Sequence, residues 1–271
     1  MAAVQTDWQM EKLRLWRANL HLVEPYRQIA TSLDTSSRHP ERHQLAPSAG
    51  RAKRGIIKPN MVQSRKNTKY PEIRIVDAML LRNAASTHLH ELWAKPGDKL
   101  ADHEEMRKVV AKYQKAWQPY QTKILTGMCQ TTGLQFEQNI IDVYIAPWFR
   151  AFSDPLVIGV NLPPDLFIDT LTHELLHRLL ITNTSLPFDT DYIKIWQKLF
   201  GKNHTHRTLV HIPVHAIHQA IYLDVLNEPA RLKRDIANNK QHGAVDYEAA
   251  WDYVEEHGYK NIIAQLKRSY R

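Results

Sequence analysis

The stretch THELLHRLL, residues 172–180, is apolar on nearly every side yet carries two histidines and a glutamate. Leu171, Leu175, Leu176, Leu179, Leu180 and Ile181 surround any helix drawn through it, and a helix that is hydrophobic all round has to be buried. Imidazoles and a carboxylate taken into such an interior need partners, because an unpaired polar group away from water is costly. His173 and His177 stand at i and i+4, on one helix face, and can direct their rings at a single ion. Glu174 lies about 100° further round the helix, beside that ion's position and not among its ligands. With 15 His and 13 Glu in 271 residues, H-E-x-x-H arises by chance roughly 0.04 times, so the pattern is read as chemistry.

Zinc is the ion this donor set suits, since it accepts imidazole nitrogen and, in catalytic sites, keeps a position open for water. It lowers the pKa of that water from about 15.7 towards 7, and Glu174 is placed to remove the proton as general base. Cys129 is the only cysteine, which excludes an intramolecular disulfide and a thiolate-rich site, so histidine and carboxylate must hold the metal. No glycine-rich phosphate loop is present among the nine glycines.

Two histidines leave a catalytic zinc short of its usual three protein ligands. The segment HIPVHAIHQAIYLDV, 211–225, reads as a helix on which His211, His215, His218 and Tyr222 form one stripe at spacings of four, three and four. Pro213 reads as a first-turn proline, which makes His215 firmly helical and the leading third ligand. His211 and His218 are then partners that orient a ligand, or alternative ligands, and Tyr222 a donor to the oxyanion. Asp189 and Asp191, a dozen residues after the motif, leave a carboxylate ligand open. His88, His90 and Glu91 read as a solvated helix face, His103-Glu104-Glu105 lacks a second ligand, and the acids of 246–256 read as an exposed helix face.

The segment IIDVYIA, 140–146, alternates as a strand does, and LVIGV, 156–160, follows as a second strand after the turn PWFRAFSDP. Asn161-Leu162-Pro163-Pro164-Asp165 then opens the motif helix with a cap, prolines and an early acid. Strand, connection, strand and H-E-x-x-H helix together resemble the active-site half of the zincin metallopeptidases. That resemblance implies an edge strand that binds substrate backbone, and a protein or peptide substrate cut by zinc-activated water. The arrangement is most similar to that of gluzincins, which take a ligand from a second helix, although histidines stand here where they carry glutamate. Leu180 occupies the place of the glycine of the metzincin extension, and Thr184 falls near the place of its third histidine. HELLHRLLITN followed by DYIKIWQKLF is also similar to SprT-type proteases, but no histidine occurs between 178 and 203.

The fold these patterns predict is α+β, mainly helical, with a small antiparallel or mixed sheet beside the motif helix. Helices are expected over 5–33, 73–95, 102–127, 191–200, 211–225, 246–257 and 259–269, the third of them ending at Thr126-Gly127. Residues 36–70 hold nine Lys or Arg against Glu41 alone, so the net charge of +8 belongs to that segment. The expectation is an N-terminal helix and basic arm over 1–70 followed by one domain over 71–271, with any nucleic-acid contact confined to the arm. No run of about 18 uncharged apolar residues is found, and Asp7 and Glu11 interrupt the place of a secretory signal, which points to the cytoplasm. The alternative to a metalloendopeptidase is a metal-binding regulatory module that does not cleave, or a SprT-like protease tethered to nucleic acid.

Overall fold

A computed structural model of the chain describes residues 70–83, 102–147, 149–181, 192–241 and 244–269, all within one compact unit, Arg65–Arg271. The helix expected at 5–33 and the basic arm up to residue 69 lie outside the described residues. The described chain is mainly helical with one small mixed four-stranded sheet, an α+β fold.

The segment read as a helix from residue 73 opens instead as strand β1 (Glu72–Asp77), and a helical turn begins only at residue 79. In EIRIVD the apolar residues recur every second position, so Ile73 and Ile75 enter the core while Glu72 and Arg74 stay exposed. Helix α1 (His103–Trp117) follows, opened by a capping box in which Asp102 accepts from the Glu105 N–H at 2.8 Å and Glu105 accepts from the Asp102 N–H at 3.2 Å. The capping box engages Glu105, while Glu104 accepts from Arg107 Nη2 at 2.6 Å.

The single helix expected over 102–127 is two, because Pro119 lacks the N–H that would continue the ladder. Helix α2 (Gln121–Thr132) runs past Gly127 and ends at Gly133, whose φ of 77° closes it. Gly127 serves packing and not termination. A Cβ there would lie 2.8 Å from both methyls of Val225 and 3.1 Å from Ile221 Cδ1. Ala would gain up to about 1 kcal/mol of helix propensity at this position. Overpacking against a branched side chain that cannot swing aside costs about 1–3 kcal/mol and outweighs it. Gly127→Ala is therefore expected to lower the thermal midpoint, and an unchanged midpoint would show that Val225 yields.

Strands β2 (Ile140–Ala146), β3 (Phe152–Ser153) and β4 (Leu156–Gly159) complete the sheet in the order β1-β2-β4-β3. β1 pairs with β2 in parallel, Ile73 opposite Ile141 and Ile75 opposite Val143, and α1 and α2 form the crossover that parallel pairing requires. β2 and β4 are also parallel, whereas β3 lies antiparallel to β4 at the sheet edge. The connection PWFRAFSDP, read as a turn, thus contains an edge strand.

Helix α3 (Pro164–Ile181) carries the motif and is fixed at its entry by Tyr113. The Tyr113 hydroxyl donates to the Val160 carbonyl at 2.7 Å and accepts from the Leu162 N–H at 3.0 Å, while its ring stacks on Phe167 with centroids 4.0 Å apart. Arg178 pairs with Asp154 in the β3–β4 turn, tying the far end of α3 to the edge strand. Next come α4 (Tyr192–Phe200), α5 (His206–Ala220) with a π-helical continuation Ile221–Leu226, and α6 (Pro229–Gln241). The final pair, α7 (Val245–His257) and α8 (Tyr259–Ser269), is divided at Gly258 as the sequence indicates. His206–Leu226 is long and apolar enough to cross a membrane, and 72% of it is buried inside the protein, the situation of a central core helix.

Candidate metal centre

Because α3 is apolar all round, it lies within the core, with Leu171, Leu175, Leu176 and Leu179 buried and Glu174 and His177 buried among them. The facing helix α5 begins earlier than its proline suggests. Thr205 is its N-cap, accepting from the Thr208 N–H at 3.1 Å, so Pro213 sits inside the helix and His211 is well past the first turn. The histidine that meets the motif is accordingly His211. The ligand nitrogens of His173, His177 and His211 all lie within 4.8 Å of one another.

His215, the leading third ligand by sequence, stays in the cluster but outside that triplet. Its ring lies flat on Trp251 at 4.1 Å, with its centroid 5.7 Å from His173 and 5.5 Å from His211. His218 is one turn further, 6.0 Å from His173, stacked on Tyr222 at 4.2 Å. The Tyr222 hydroxyl donates to Asp235 Oδ2 at 3.3 Å, and the same oxygen is 3.4 Å from His218 Nδ1. The hydroxyl read as an oxyanion donor is thus committed to α6. Asp189, Asp191, His88, His90 and Glu91 lie outside the described residues.

The triplet suits a metal ion on three observations. His173 Nε2 and His177 Nε2 are 3.1 Å apart, close to the roughly 3.3 Å between two nitrogens that share a tetrahedral zinc at 2.0–2.1 Å. His211 Nδ1 lies 2.7 Å from the Arg207 carbonyl, which can only accept, so Nδ1 carries the proton and Nε2 the lone pair. That Nε2 is buried and has no hydrogen-bond partner among the described residues. Burial also holds the imidazoles neutral, the ligating form, pushing His177 down to about 3 and His211 to about 4, with His173 well below its ordinary value.

Glu174 is only 7% exposed, and burial pushes its carboxyl up to about 8. A divalent cation in the triplet would act in the opposite direction and favour the carboxylate. Around the centre, Asp169, one turn before His173, accepts from Arg231 Nη1 at 2.8 Å and from Arg234 Nη2 at 2.6 Å, which locks α3 to α6. The half-buried Asp235 carboxyl is pushed up to about 7 by desolvation and by the charge of Asp169.

Sequence reasoning missed Tyr247 and Asp246. Tyr247 packs on His211 with centroids 4.0 Å apart and lies 6.0 Å from His173. Asp246, read as part of an exposed face, accepts from the Thr205 hydroxyl at 2.6 Å. No spacing links either residue to the motif, so only the packing of α7 on α5 reveals them. The chain matches no protein-family model, no curated protein and no solved structure.

Proposed function

We propose that the protein is a zinc-dependent metalloendopeptidase in which His173, His177 and His211 hold the ion and Glu174 is the general base. The observation that carries this reading is the convergence of three imidazoles, His177 and His211 buried and His173 half-buried, beside a buried glutamate that shares a helix with His173 and His177. A ligand triplet without Glu174 would suit a structural ion equally; a purely structural zinc has no use for a buried carboxyl that burial alone destabilises. Bound zinc supplies Lewis acidity and acidifies water. Glu174 takes the proton from the attacking water and delivers it to the leaving amine as the C–N bond breaks. Burial of Glu174 excludes bulk solvent from that proton transfer, and the edge strand β3, whose Phe152 is exposed, offers backbone groups to an extended peptide.

Metal analysis of dialysed variants, paired with a broad peptide-cleavage screen, tests the assignment. His173→Ala and His211→Ala are expected to empty the site, whereas His215→Ala, which removes a supporting ring, weakens zinc binding by about 10- to 100-fold. Full zinc in His211→Ala with loss in His215→Ala would reverse the ligand assignment. Zinc-loaded wild type that cleaves nothing in the screen would leave a metal-binding module in place of an enzyme.

A further inference from the structure

We propose that Tyr247 donates a hydrogen bond to the substrate oxygen at this centre, and that Asp246 is the residue that positions it. This inference rests on the hydrolase reading above.

The placement begins at the N-terminus of α5. Thr205, its cap residue, donates from its hydroxyl to Asp246 Oδ1 at 2.6 Å, and the Thr208 hydroxyl lies 3.3 Å from the Asp246 carbonyl oxygen and 3.4 Å from Oδ1. These contacts clip the first turn of α7 over the first turn of α5. The residue next to the clip, Tyr247, consequently falls on His211, with ring centroids 4.0 Å apart at 41°, and reaches to 6.0 Å from His173 and 5.8 Å from His215.

Its hydroxyl is uncommitted. Tyr113 bonds the turn before α3, Tyr222 donates to Asp235, Tyr259 donates to Asp224, and Tyr120 accepts from Arg231. Tyr247 alone of these rings touches two of the ligand imidazoles, and its hydroxyl makes no hydrogen bond to any described residue. A phenol keeps its proton at neutral pH and can only gain by donating it to an oxygen that is acquiring negative charge. Amide hydrolysis generates such an oxygen when water adds to the carbonyl carbon, and a donor held in place beforehand stabilises it without reorganisation. Tyr222 has the same chemistry but has already given its hydrogen bond to Asp235.

The test uses cobalt(II) in place of zinc, so that occupancy is read from the visible spectrum, and acetohydroxamate as an oxyanionic probe titrated to give a Kd. Wild type and Tyr247→Phe are expected to hold one cobalt per chain with the same spectrum. Tyr247→Phe should bind acetohydroxamate about tenfold more weakly or worse, as loss of a hydrogen bond to a charged group requires. Asp246→Asn should show a smaller loss in the same direction, because it loosens the clip and leaves the phenol. Equal acetohydroxamate affinity in wild type and Tyr247→Phe would overturn the donor role while leaving the metal centre standing. Loss of cobalt from Tyr247→Phe would assign the ring to holding the centre together and also overturn it. Absence of cobalt from wild type would remove the metal centre itself, and the proposal with it.

Discussion

Glu174→Gln is expected to retain zinc at the wild-type level and to lose peptide hydrolysis by about 10²- to 10⁴-fold, the usual cost of removing a general base. Glutamine has nearly the shape of glutamic acid and fits the same buried place on α3. It removes a group that can accept a proton while leaving the three imidazoles untouched. The separation of the two readouts is what makes the variant informative. A ligand role for Glu174 would show as lost metal, and a purely structural role would show as lost stability with activity per folded molecule preserved. Activity within a few-fold of wild type at full zinc occupancy would sink the proton-transfer role. In the metal-free protein the carboxyl, pushed up to about 8, is protonated at neutral pH, so glutamine there is nearly isosteric and isoelectric with the native side chain. Glu174→Gln should accordingly be no less stable than wild type when both are stripped of metal at pH 7.

The metal-free protein is expected to be most stable near pH 6.5 and to lose stability on acidification. Burial holds His177 and His218 down at about 3 and His211 at about 4, and pushes His173 and His215 well below their ordinary values. A depressed folded pKa means that the unfolded chain takes up a proton first, so the stability these five groups contribute is complete above about pH 6.5 and is lost as pH falls from there towards 3 to 4. Glu174 and Asp235 act in the opposite sense. Their folded pKa values, raised to about 8 and about 7, mean that the unfolded chain releases protons the folded chain keeps, and stability falls as pH rises through 7 to 8. Between about pH 4.5 and 6 unfolding gains protons at the histidines, three of which are held at about 3 to 4, and releases up to two at carboxyls, a net uptake of at least about one proton, or about 1.4 kcal/mol per pH unit, with His173 and His215 acting in the same direction as the other histidines. Against a total stability of about 5–15 kcal/mol, that slope, carried from about pH 6.5 to about pH 4, removes a large share of the stability. Urea midpoints of chelator-treated protein from pH 4.5 to 8.5 measure it. Midpoints that stay level between pH 5 and 7 would contradict the common burial of the five rings.

The motif was legible because its logic is local. His173, Glu174 and His177 lie within one and a half helical turns, and the leucines around them require burial whatever the rest of the chain does. The division at Gly258, the helix α4 and the overall class, α+β and mainly helical, were legible for the same reason. The strand β1 was not, because two alternating isoleucines in six residues fit either period, and its decisive partner in β2 lies 68 residues away. The third ligand depends on where α5 starts and which side it turns to α3. Thr205, not Pro213, sets that start, and the bond from Thr205 to Asp246 spans 41 residues of sequence. The same bond decides the place of Tyr247. What the chain determined by itself is the chemistry available on one helix; which imidazole completes the triplet and which phenol overlooks it follow from the packing of α5 and α7, where contacts between distant residues outweigh local spacing.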